Sequence, residues 1–201
     1  MKNLIKKSVN ILKNDGVIAV PTDTLYALAA SIESPKGIGK IFEIKGRSYN
    51  SPISLLINSS EQLKKYTQEI PEETWNLINQ FWPGPLTIIL KSSPSVPNIL
   101  LAHTGKVGLR IPNNLVTRNI VQKLGSAITG TSVNISGQAD MISHIDIKNT
   151  FGNKIDLIIE NNIKKTNIAS TILDLTVKPA IIIREGFIQK KSIQNFIEIQ
   201  S

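Results

Sequence analysis

The feature that most limits what this chain can fold into is a succession of short apolar runs. VIAV (17–20), ISLLI (53–57), LTIILK (86–91) and VGLRI (107–111) are each of strand length, and Pro21 ends the first. Residues 126–134 read as a further strand running into a polar Ser/Asn/Gly loop. DLIIE, STILDL and AIIIRE read as three closing strands. Between these runs the apolar residues fall at helical spacing. Leu4, Ile5, Val9 and Leu12 share a helix face that Gly16 brings to an end. Ser34-Pro35 is an N-cap followed by proline at the first helical position, opening a helix that runs toward Gly46. Further helices are expected around 60–66, from Pro71 through Trp75, Ile78 and Phe81, over 114–124 and 145–151, and from about 190 to 199. Alternating strands and helices followed by a late run of strands predict an α/β fold with a mixed sheet.

With 201 residues, no internal repeat and no linker, residues 1–201 are expected to form one domain. There is no cysteine, which removes disulfides, thiolate zinc sites and a Cys nucleophile and suits a reducing cytoplasm. Lysines interrupt the apolar stretches at the N-terminus, so no signal-peptide core forms. No stretch approaches the roughly 18 apolar residues of a membrane span. The net charge of +8 favours anionic partners such as nucleotides or RNA. A lysine surplus set by genome composition accounts for it equally.

Several polar segments interrupt this pattern. PTDTLYALAA (21–30) brings Thr22, Asp23 and Thr24 to a strand end, where α/β sheets hold ligands. On that segment alone the plainer reading, a capped turn starting a helix, is favoured. KGRSYNSP (45–52) sets Lys45 and Arg47 two apart, on one side if the segment is extended; a solvated basic loop is the alternative. Lys106 and Arg110 are four apart on an expected strand and therefore on one face. Arg110 lies between Leu109 and Ile111, so its charge needs either an internal carboxylate or a bound anion. TGTSVNISG (129–137) concentrates hydroxyls and an amide between glycines, a composition that can hold phosphate oxygens or form Asx and Ser/Thr turns. FWPGPLT (81–87) reads as packing and turn without chemistry. His103 and His144, the only histidines, lie in separate loops and receive no role.

PTDTLYAL, KGR, WPGPLT, LRIP, SVNISG, STILD and IIIREG occur in that order along the chain. In this set and order, over roughly residues 5–187, the chain resembles the YrdC family of threonylcarbamoyl-AMP synthases. The resemblance implies a YrdC-like twisted mixed sheet flanked by helices, related to the fold of a riboflavin-pathway phosphosugar enzyme, with a concave basic surface. It implies that L-threonine, bicarbonate and ATP are joined to give threonylcarbamoyl-adenylate and pyrophosphate, for the N6-threonylcarbamoyladenosine modification of tRNA. Thr24, Arg110, Gly130 and Ser170 would hold L-threonine, with Arg110 on its carboxylate. Lys45, Arg47, Ser51, Lys106, Ser132, Asn134, Asp140 and Arg184 would hold ATP, and Lys45 and Arg47 would be catalytic. Mg²⁺ would arrive on the nucleotide, with no side-chain metal site. Downstream threonylcarbamoyl-transfer proteins and tRNA, through the basic surface, are the implied partners. Ala27 stands where the family has glycine, Ser48 where it has proline, and Leu56 where some longer relatives have a histidine that touches threonine.

Two rivals remain on the sequence. A double-stranded RNA- or tRNA-binding module without catalysis would use the positive charge, but five Phe, three Tyr and two Trp offer no cluster for base stacking. A phosphosugar enzyme would need acidic metal ligands near the motifs, and none are found there.

Overall fold

The computed structural model describes residues 1–160 and 168–200. Helix α1 (Lys2–Lys13) leads into an antiparallel pair, β1 (Ile18–Pro21) and β2 (Tyr26–Ala29). Next come α2 (Pro35–Lys45), β3 (Ser54–Leu56), a single helical turn α3 (Leu63–Tyr66), α4 (Glu73–Phe81), β4 (Leu86–Lys91) and β5 (Lys106–Arg110). The chain continues through α5 (Leu115–Leu124), β6 (Ile128–Ser132), α6 (His144–Phe151) and β7 (Leu157–Ile158). It ends with β8 (Thr171–Asp174), β9 (Ile181–Arg184) and α7 (Lys190–Gln194). The strands form one sheet in the order β7-β1-β2-β6-β3-β5-β4-β8-β9. The pairs β1–β7, β3–β5 and β4–β8 are parallel and the others antiparallel, the mixed sheet that the strand order predicts.

Local chemistry accounts for most boundaries. Ser34 caps α2 by accepting from the Gly37 N–H at 2.8 Å, a contact worth about 1 kcal/mol. The helix stops at Gly46, whose φ of 57° is left-handed backbone that glycine adopts without strain. Asn114 caps α5 through the Thr117 N–H. Two expectations fail. Tyr26–Ala29 is a strand, not the start of a helix, because Thr22 closes a tight turn by accepting from the Thr24 and Leu25 amides and donating to the Leu25 carbonyl at 2.6 Å. The last helix ends at Gln194, not near 199, because Ile199 leaves it to bridge Ala180 beside the sheet.

Alternation along the strands divides the core. Tyr26 and Leu28 of β2, Leu55 of β3 and Leu109 of β5 pack with α2, α3, α4 and α6 on one face. Ala27 and Ala29, with Leu56 and Ile128, face the other way, toward Val9 and Leu12 of α1 and Ile120 and Val121 of α5. On this second face α1 and α5 cover the β1–β2 end. From β2 to β8 the same face carries a cavity.

Candidate active site

The cavity, about 170 Å³, is bounded by strand residues of this second face and by the loops beside them. Ser54 and Leu56 come from β3, Thr87 from β4, Arg110 from β5, and Gly130 and Ser132 from β6. These positions share one parity along their strands, which is why short polar side chains sit inside apolar runs. Thr24 enters from the β1–β2 turn, Ser170 from the approach to β8, and Arg47 and Arg184 from the rim.

Arg110 is 5% exposed and fully oriented. Its Nε donates to the Gly84 carbonyl at 2.9 Å, Nη1 to Thr24 Oγ1 at 3.1 Å and Nη2 to Asp23 Oδ1 at 2.6 Å. Of the two partners left open for this cation, the structure contains the internal carboxylate, Asp23. Asp23 is fixed in turn by the Asn113 N–H at 2.9 Å. Burial weighs against the Arg110 charge, and Asp23 opposes that effect. Three contacts leave two of the five guanidinium N–H groups for a ligand. The WPGP segment therefore does more than turn the chain, since Gly84 helps to aim Arg110.

Next to Arg110, on the neighbouring strand β4 and at the approach to β8, Thr87 Oγ1 and Ser170 Oγ lie 3.0 Å apart. Arg184 donates to the Ser170 carbonyl from Nε at 3.1 Å and from Nη2 at 2.8 Å. Arg47 is held by the Pro52 carbonyl at 2.9 Å and the Ser51 carbonyl at 3.4 Å. Gly130 packs closely under Leu56: a Cβ there would lie 2.7 Å from Leu56 Cγ, so the Leu56 side chain would have to shift.

The structure thus brings Thr24, Arg47, Arg110, Gly130, Ser132, Ser170 and Arg184 to one cavity. Lys45, Ser51, Lys106, Asn134 and Asp140 do not line it. Lys106, at the other end of β5 from Arg110, pairs with Asp174 at 2.9 Å. Ser51 serves through its backbone. Asp140 is exposed, and its charge favours the cationic forms of Lys45 and Arg184. Lys45 and Arg47 are not neighbours on an extended segment; Lys45 is the last residue of α2 and Gly46 turns the chain. Lys45 is buried behind the cavity wall, where desolvation first and the Arg47 charge second pull its pKa down to about 8. Thr87 and Ser54 were missed because each sits in a run that reads as core, where only a strand's two-residue alternation marks them.

Residues 10–186 match the Sua5/YciO/YrdC family, described as telomere recombination. The chain belongs to this family. It is 33% identical to a putative threonylcarbamoyl-AMP synthase of Methanocaldococcus jannaschii over 91% of this chain and 87% of the relative. It is 32% identical to threonylcarbamoyl-AMP synthase of Pyrococcus abyssi over 96% of this chain and 57% of the relative, so it spans little more than half of that protein. The structure superposes on that of P. abyssi Sua5 complexed with L-threonine with a TM-score of 0.93 at 32% identity, covering 98% of this chain and 58% of the other. The family fold is the mixed α/β sheet described above. Ala27 and Leu56 both line the cavity.

Proposed function

We propose that this chain is a threonylcarbamoyl-AMP synthase, a nucleotidyltransferase that makes threonylcarbamoyl-adenylate from L-threonine, bicarbonate and ATP for tRNA modification. The observation that carries this reading is Arg110. It is a buried guanidinium held on three sides, with two N–H groups to spare, beside the hydroxyls of Thr24, Thr87 and Ser170. A fixed planar fork suits a carboxylate, and the hydroxyls suit an ammonium or a substrate hydroxyl. The family relative complexed with L-threonine supports the same occupant.

In this reading Thr24, Arg110, Gly130 and Ser170 surround threonine, and Arg47, Arg184 and Ser132 receive the ATP phosphates at the rim. The threonine amine takes up bicarbonate-derived CO2 as a carbamate. A carbamate oxygen attacks the α-phosphorus, the bond to the bridging oxygen breaks, and pyrophosphate leaves. Negative charge grows on the phosphates as that bond breaks, and Arg47 and Arg184 are fixed in advance to meet it. Holding two anionic reactants in line supplies much of the remaining acceleration. Among the described residues no group of three or more His, Cys, Asp or Glu could hold a metal ion. Mg²⁺ in this reading comes on the nucleotide and keeps much of its water.

Contact with tRNA belongs to the same reading, through surfaces such as α1, where Lys2, Lys6, Lys7 and Lys13 are exposed and no acidic residue intervenes. So do delivery of the adenylate to a transfer protein and a cytoplasmic setting. The test is thermal melting with ligands. ATP should raise the melting temperature, and threonine added to ATP should raise it further. No shift with either ligand overturns the proposal.

A further inference from the structure

Lys45 makes contacts unlike those of the two rim arginines. Its Nζ donates to the Ser132 carbonyl, to the Asn134 carbonyl at 3.2 Å and to Asn134 Oδ1. An ammonium has three N–H donors, so all are engaged within the protein. The backbone of the same residue holds the same loop, because its carbonyl, at the C-terminus of α2, accepts from the Ser136 N–H at 2.8 Å. Asn134, gripped through its oxygen, also accepts from Ser132 Oγ at 3.0 Å and passes the constraint on from Nδ2 to the Gln138 carbonyl at 2.6 Å. From Ile135 to Asp140 every side chain is exposed, so apolar burial does little to fix this segment. Two backbone bonds, Gln138 N–H to the Ile135 carbonyl and Met141 N–H to the Val133 carbonyl, also shape it, and the remaining ties run through Lys45 and Asn134.

We infer that Lys45 is a positioning residue that holds the 132–138 loop in its nucleotide-ready form, rather than a residue that grips phosphate. This rests on the reading of the cavity rim as an ATP site. It assigns Lys45 a task different from the direct phosphate contact that the resemblance implies. A phosphate could take a Lys45 N–H only if a loop carbonyl gave it up. Arg47 and Arg184 reach the rim with donors to spare. Lys45 and Asn134 then form one unit, and removing either should release the same loop.

Hydrogen–deuterium exchange in the absence of nucleotide separates the alternatives. In Lys45→Met, amides of residues 133–138 should exchange about tenfold faster or more, as expected for the loss of charged hydrogen bonds. The strands should remain as protected as in the wild type. Asn134→Ala should loosen the same amides, which keeps the test available if Lys45→Met fails to fold. ATP affinity should fall in each single variant and should fall little further in the double variant, since both act through one contact. Inorganic tripolyphosphate, which carries the charge without the nucleoside, is the comparison ligand. Wild-type exchange in Lys45→Met together with lost tripolyphosphate affinity would overturn the inference and make Lys45 a direct phosphate ligand. The exchange readout needs no nucleotide, so failure of ATP to bind the wild-type protein would overturn the functional reading while leaving the loop contact separately measurable.

Discussion

Asp23 Oδ1 lies 2.6 Å from Arg110 Nη2 and joins a turn between two strands to the middle of the sheet. Only 6% of the Arg110 side chain and 15% of the Asp23 side chain meet solvent, so neither charge is well hydrated. The pair places a cation inside an apolar face, keeps it charged and aims its free edge into the cavity.

Removing one partner of a buried pair leaves the other charge uncompensated, at a cost of about 3–5 kcal/mol. Asp23→Ala should therefore lower the unfolding free energy by about 3 kcal/mol in urea titrations. Glu69→Ala, which breaks an exposed pair with Lys91, should cost no more than about 1 kcal/mol. Equal effects of the two substitutions would mean that Arg110 is not dependent on Asp23.

Gly130→Ala should crowd Leu56, since the added Cβ would lie 2.7 and 2.9 Å from its Cγ and Cδ2. Overpacking of this kind costs about 1–3 kcal/mol. Leu56→Ala in the same protein should recover part of the loss by making room, a coupling that a double-mutant cycle in thermal melting measures. Strict additivity would place the strain elsewhere.

The fold was largely legible because most strands and helices announce themselves by period, and α2 also by its Ser34 cap. Tyr26–Ala29 was misread because its local sequence suits a helix start, whereas pairing with β1 and β6 decides its conformation. Of the site, only Arg110, a cation between Leu109 and Ile111, and the polar segment 129–137 stand out from their own residues; Thr24, Arg47, Ser170 and Arg184 gain their roles from the order of the motifs along the whole chain. The choice of Asp23 as the partner of Arg110 depends on a contact between residues 87 positions apart, which no local pattern encodes. Lys106 shows the converse. Its even spacing from Arg110 places both on one face of the strand, but the length of β5 carries Lys106 away from the cavity to Asp174.

Substrate analogues probe the hydroxyl-lined wall. A site that hydrogen-bonds a substrate hydroxyl leaves its own groups unpaired when that hydroxyl is missing. 2-Aminobutyrate should therefore be a poor substrate. Serine, which lacks only a methyl, should lose roughly 10–200-fold in kcat/KM and be the less impaired of the two. The measurement is pyrophosphate release at saturating ATP, and 2-aminobutyrate equal to threonine would reject a hydroxyl-reading site.

Lys45 gives a pH signature. Its pKa in the folded protein is about 8 against an ordinary value of 10.5, lowered by burial and by Arg47 and partly restored by Asp140. Below pH 8 both the folded and the unfolded chain carry this proton, and the cost of burying the charge is fully present. From about 8 to 10.5 the folded protein releases the proton while the unfolded chain retains it, so the contribution of Lys45 to stability rises with pH. Between pH 8.5 and 9.5, wild type should gain on Lys45→Met by about 1 kcal/mol. A pH-independent difference between them would contradict the shift.

The most direct test of the account is pyrophosphate release from ATP by the purified chain, with threonine and bicarbonate supplied together or separately. Release should require both, and Arg110→Lys should raise the threonine KM while changing the ATP dependence much less, because it keeps the charge and loses the fork. Release that proceeds without threonine, or none with all three substrates present, would contradict the proposed synthase.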